Sequence, residues 1–148
     1  VTRISEEELA QIFEVRALLE TKLIRLAVPN MTEETYQRAE EICHAFIDAT
    51  DIGQWTSLNW QLHACLYEPA QRPYMLSLIR SIYDKIERYL RLQMSISVGK
   101  VRADQEHLEI VKACKAKDVE LAAELIEAHI NTVCQALYAF LPPQQSQD

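Results

Sequence analysis

Glycine is nearly missing from this chain, with two in 148 residues, and runs of β-branched residues are few. Without glycine punctuation the pattern reads as helix rather than sheet, and the abundant Leu, Ala, Glu and Gln lose little freedom in a helix. Cationic residues are also in short supply: 15 Lys and Arg stand against 22 Asp and Glu, for a formal net charge of -7 and a pI near 5.1. Such a chain repels phosphate backbones, so it acts on DNA or RNA only through some other domain. The four cysteines, Cys43, Cys65, Cys114 and Cys134, stand singly with no C-x-x-C pair. Neither a zinc-thiolate motif nor a disulfide framework is indicated, and a reducing cytosol is the expected home. No apolar run approaches the roughly 20 residues that span a bilayer, and no signal peptide with a basic start and apolar middle is visible. A soluble, cytoplasmic protein with no membrane partner is therefore expected.

What remains is 49% hydrophobic, enough for one continuous core, so a single domain over 1–148 is expected. Breakers and caps divide it into about six helices, an all-α antiparallel bundle. Ser5-Glu6-Glu7-Glu8 reads as a capping box that opens the first, and Pro29 stops it. The cap signal recurs around Thr32 for a second helix to about Ala49. Asp51-Ile52-Gly53 separates a third that runs to about Tyr67, and Pro69 and Pro73 bracket the next turn. A fourth runs from Pro73 to about Val98, where Gly99 is expected to break it. A fifth covers about Val101 to Lys115, and Asp118 caps a sixth that ends before Pro142-Pro143. The tail Gln144–Asp148 is expected to be disordered.

Three of these helices carry a histidine on the apolar stripe rather than on the solvated side. His63 lies four residues after Asn59, among Trp55, Leu58, Leu62 and Leu66, so Asn59 and His63 share a face. His107 lies on a stripe with Ile110, Val111 and Cys114, and His129 on one reading Ala122, Leu125, His129, Thr132, Ala136, Phe140. At about 1.5 Å per residue, His107 and His129 lie roughly 12 and 16 Å from their shared turn, similar heights in an antiparallel hairpin. Three convergent imidazoles suit a divalent metal such as zinc, nickel or iron and leave positions open for water or an anion. The plainer alternative is three hydrogen-bonded core histidines. His44 follows Glu41 at di-iron spacing, but no second Glu-x-x-His exists, so it reads as an ordinary, partly exposed histidine.

Helix 1 has its own irregularity: Leu9, Ile12, Arg16, Leu19, Leu23 and Leu26 form a seam with an arginine on it. Arginine cannot shed its proton to escape burial, so Arg16 needs an anion, and Glu20 one turn on is the nearest candidate. Two other functional classes fit the same residues. A metal-dependent hydrolase would need a base, and Glu106, beside His107 and about 100° round the helix from it, is poorly aimed. A metal-free interaction bundle would use Tyr36, Tyr74, Tyr83 and Trp60, which form no specific pattern.

The segments Asn59-Trp-Gln-Leu-His63-Ala-Cys-Leu, Glu106-His107-Leu-Glu-Ile-Val-Lys-Ala and Lys117-Asp118-Val-Glu-Leu-Ala-Ala-Glu-Leu-Ile-Glu-Ala-His129-Ile resemble, in order, the FCD domain, and Glu14-Val-Arg16-Ala-Leu-Leu-Glu20 resembles its opening helix. This is the C-terminal effector-binding domain of the FadR subfamily of GntR transcription regulators, and six helices match its VanR-type variant. The resemblance implies a divalent metal, zinc or nickel first, held by His63, His107, His129 and the residue at position 59. There the family's usual aspartate is replaced by Asn59, a neutral amide that binds a cation less strongly. It also implies a small carboxylate effector that completes the coordination. For that effector Arg16, on its apolar seam, is the first expected polar contact, and Arg91, toward the polar side of helix 4 near its end, is the second. A homodimer is implied as well. So is DNA binding through a winged helix-turn-helix domain on the N-terminal side, which is expected to be absent from this chain.

Overall fold

The computed structural model describes residues 4–94 and 97–138. Six α-helices make up the fold: α1 (Glu6–Ala27), α2 (Glu33–Asp48), α3 (Ile52–Tyr67), α4 (Pro73–Met94), α5 (Ser97–Lys115) and α6 (Val119–Leu137). Single 3-10 turns at Val28–Asn30 and Glu68–Ala70 follow α1 and α3, and no strand occurs among the described residues. The six helices pack as an antiparallel bundle, as the punctuation predicts.

The helix starts are chemically explicit. The Ser5 hydroxyl accepts from the Glu8 N–H at 3.1 Å, and Asp51 and Asp118 accept from Gly53 at 2.7 Å and Leu121 at 3.1 Å. At α2 the Thr35 hydroxyl accepts from the Thr32 N–H at 3.2 Å. Each satisfies a backbone donor that a helix start leaves free and contributes about 1 kcal/mol. Glu8 reaches across to Lys85 at 2.9 Å.

One expected boundary moves. Gly99 lies within the first turn of α5, which begins at Ser97, and does not break α4. A glycine costs about 1 kcal/mol in a helix interior and less near an end, so packing of the rest of α5 outweighs it. Pro142-Pro143 and the tail Gln144–Asp148 lie outside the described residues.

α1 packs most extensively on α6, α2 pairs with α3 and α5, α5 with α6, and α3 with α4. Leu9, Leu23, Ile24, Leu62, Leu66, Ile79, Ile86, Ile110, Ile126 and Ile130 fill the shared core. Each such side chain contributes about 2 kcal/mol by leaving water. The stripes are wider than the sequence pattern suggests. On α6 the buried residues are Ala122, Ala123, Ile126, His129, Ile130, Val133, Cys134 and Leu137, so Leu125, Thr132 and Ala136 lie at its margin. On α1, Phe13, Glu20 and Ile24 are buried, while Ile12, Leu19 and Leu26 are half-buried.

The α5–α6 turn sets the register of two histidines. Lys117, in the turn just after α5, has φ 57°, a left-handed backbone that costs a non-glycine residue about 1 kcal/mol. Its ammonium offsets this by donating to the carbonyls of Val28 at 3.0 Å and Met31 at 2.6 Å, and it lies over the Tyr36 ring. A second pin lies at the start of α5, where the Lys100 ammonium lies 5.2 Å from the Phe46 ring centre and 5.4 Å from that of Trp55.

Candidate metal centre

His63 of α3, His107 of α5 and His129 of α6 converge in the bundle interior, 1%, 1% and 4% exposed. Their ring centres are 5.7 Å (63 to 107), 5.6 Å (63 to 129) and 5.2 Å (107 to 129) apart. One ring nitrogen from each lies within 4.8 Å of the other two. The hairpin estimate from helical rise thus holds for His107 and His129. Asn59 is buried one turn before His63, at 4% exposure.

The hydrogen bonding around the three rings is unequal. His63 Nδ1 lies 3.2 Å from Glu20 Oε1 and 3.3 Å from the Tyr67 hydroxyl, while its Nε2 is buried without a partner. His129 Nδ1 bonds Glu106 Oε2. Both nitrogens of His107 are buried and unpartnered, and the ring is held by the edge of Phe46, with centres 5.1 Å apart. An imidazole satisfied only by core packing keeps its nitrogens paired, because a buried polar atom without a partner costs about 1–3 kcal/mol. Three orphaned nitrogens on two of the rings fit a cation as the missing partner. Burial pushes the His63 and His107 imidazoles below the ordinary histidine value, His107 strongly, with nearby positive charge adding to the effect. Both therefore stay in the neutral form that metals bind.

Behind His63 lies a buried polar cage centred on Glu20, which is 0% exposed. Arg16 Nε donates to Glu20 Oε2 at 2.5 Å, and the Tyr67 and Tyr83 hydroxyls donate to Oε1 at 2.6 and 3.4 Å. Arg16 Nη2 donates to the Tyr83 oxygen at 2.6 Å, and its Nη1 is buried and unpartnered. Burial alone would raise the Glu20 carboxyl, but the Arg16 charge and the bonds from His63 and Tyr67 outweigh it and hold the group at about 2. Burial likewise raises the Tyr67 and Tyr83 phenols well above their usual range, so both remain donors.

The structure therefore brings His63, His107 and His129 together and gives Arg16 the partner that its seam position demands. Arg91 does not join them. It is exposed and paired with Glu87 at 3.2 Å, on a groove of about 240 Å³ between α3 and α4 whose lining includes Trp60 and Tyr83. His44 is exposed on α2. Sequence reasoning missed Glu106, Tyr67 and Tyr83. Glu106 does point away from His107, but the same rotation aims it at His129 on the next helix. Tyr83 stands among aromatics that form no pattern in the sequence, but Tyr67 falls one turn after His63, the spacing that puts both on one face.

Among known proteins, residues 11–132 match the FCD domain. The HTH-type transcriptional repressor GlaR of Escherichia coli is 26% identical over 146 residues, covering 89% of this chain and 65% of its own length. The uncharacterized HTH-type transcriptional regulator BphR of Paraburkholderia xenovorans is 24% identical, over 95% of this chain and 61% of its own. Among solved structures, a GntR-family transcriptional regulator from Pseudomonas syringae superposes with a TM-score of 0.82 at 24% identity, covering 95% of this chain and 59% of that one. McbR/YncC of Escherichia coli gives 0.84 at 19%, over 95% and 73%. The chain belongs to the FCD family, found in GntR-type transcriptional regulators. Its relatives bear the names of regulators rather than enzymes, and it spans 61 to 65% of the length of the two curated relatives just named.

Proposed function

We propose that this domain senses a small carboxylate at a divalent metal ion held by His63, His107 and His129, and so controls DNA binding by a separate N-terminal domain in a dimeric regulator. The convergence of three buried imidazoles, two of them with unpartnered nitrogens, carries this reading. Zinc and nickel suit an all-imidazole set, and Asn59, buried one turn before His63 on α3, would add its amide oxygen as a fourth donor. Four neutral donors leave the ion its full double charge, where a family aspartate would leave one, which strengthens attraction for an anionic effector.

The cage refines the part assigned to Arg16. Its Nε and one N–H of Nη2 already serve Glu20 and Tyr83, so the unpartnered Nη1, with its two N–H groups, is what it has to offer an effector. Arg91, which lines the α3–α4 groove with Trp60 and Tyr83 rather than the metal centre, would meet the effector only on its way in. Binding then shifts a conformational equilibrium by the difference in affinity between two arrangements, typically about 1–3 kcal/mol of coupling.

A thermal-shift screen of mono-, di- and tricarboxylates, with zinc or nickel present and again after chelation, tests the reading. A ligand at about 100 times its dissociation constant adds about 2.7 kcal/mol to stability. Stabilisation by at least one carboxylate that vanishes on chelation supports the proposal; none from any anion with metal bound contradicts it.

A further inference from the structure

The two carboxylates bonded to the histidine centre come from different helices, Glu20 from α1 and Glu106 from α5, and take the same atom of their rings, Nδ1 of His63 and of His129. A carboxylate accepts and cannot donate, so each bond requires a hydrogen on Nδ1 and leaves the lone pair on Nε2. For His63 that Nε2 is the buried, unpartnered nitrogen. His107 has no such partner on either nitrogen and is held by packing against Phe46 and the other two imidazoles.

Building on the metal reading above, we propose that Glu20 and Glu106 are positioning residues that preset His63 and His129 as Nδ1–H tautomers, with Nε2 ready to ligate before any ion arrives. His107 is left to choose its tautomer on binding. A preset ring has no proton to move and no rotamer to search, so the two carboxylates raise affinity without touching the ion. They do so by different means. Glu20 is locked by Arg16, Tyr67 and Tyr83, so His63 is part of a rigid cage. Glu106 is partly exposed and lies 3.4 Å from Arg102, so it can be changed without opening the core.

The test is the long-range ¹⁵N–¹H spectrum of the imidazoles in chelator-treated full chain at about pH 8, well above the ordinary histidine value. His63 and His129 are expected to show a protonated Nδ1 and a bare Nε2 with no metal present, and His107 serves as the internal reference without an imposed form. In Glu106→Ala, His129 should lose that preference and zinc affinity should fall about 10- to 100-fold by competition titration. Glu106→Gln, whose amide oxygen still accepts, should keep the tautomer and recover most of the affinity. A wild-type His63 or His129 carrying its hydrogen on Nε2, or a Glu106→Ala protein with unchanged tautomer and affinity, overturns the proposal. The metal reading fails separately: preset tautomers in a protein that binds neither zinc nor nickel would uphold the tautomer assignment but refute the metal centre and, with it, the positioning role.

Discussion

Replacing Arg16 with methionine probes the most expensive feature of the interior. Arg16 and Glu20 are 1% and 0% exposed and meet at 2.5 Å, so each charge is desolvated and depends on the other. Removing one partner of such a pair typically costs about 3–5 kcal/mol, because the survivor is left charged and buried. Glu20 would keep its bonds from Tyr67 and His63, and with Arg16 gone burial would push its carboxyl upward, so the penalty should shrink as the pH falls. The double replacement Arg16→Met with Glu20→Met removes both charges and leaves the Tyr67 hydroxyl and His63 Nδ1 3.3 Å apart as partners for each other, but it strands the Tyr83 hydroxyl, at about 1–3 kcal/mol for the orphan. It should therefore lie below wild type by about 1–3 kcal/mol, yet well above the sum of the two single losses, with a coupling at or beyond the upper end of the usual 0.5–3 kcal/mol range (about 3 or more). Urea unfolding followed by far-UV circular dichroism, with chelator present throughout, reads these differences. In melting temperature the single loss corresponds to roughly 10–15 °C, at about 3 °C per kcal/mol. A cost under about 1 kcal/mol for Arg16→Met, or simple additivity in the double variant, would refute the buried cage.

Acid should destabilise the metal-free chain in two stages. His63 and His107 are neutral in the fold and charge readily when unfolded, so stability falls as pH drops below about 6.5, the ordinary histidine value. Glu20, held at about 2, contributes stability that is complete above about 4.5 and drains away as pH falls from there towards 2, so urea midpoints across pH should show both declines. Asn59→Asp restores a charged donor beside His63 and should tighten zinc binding by about tenfold or more in a competition titration. Phe46→Ala removes a side chain that is 1% exposed and packs edge-on against His107; it should cost about 3–5 kcal/mol in urea unfolding and weaken metal binding along with it.

Much of this was legible in the sequence where local chemistry decides. Ser5, Asp51 and Asp118 cap their helices with their own side chains, and the Arg16–Glu20 pair follows from one turn of spacing on an apolar seam. The three histidines could be placed together because a hairpin of known rise fixes the relative height of His107 and His129. What escaped depends on neighbours across helices. Spacing relates Glu106 only to His107 on its own helix, whereas its partner is His129 on α6. The margins of the α6 stripe shifted because α1 and α5 both pack on it, so a wider face is buried than one apolar row shows. Gly99 was read by intrinsic preference, which tertiary packing overrides.

The most direct test of the central claim is the metal content of the purified chain after reconstitution with zinc or nickel and removal of excess ion. One ion per chain in wild type, falling to background in His107→Ala while the helical spectrum and cooperative unfolding persist, is the predicted result. A wild-type chain that stays metal-free under those conditions, with His107→Ala equally stable, would contradict it.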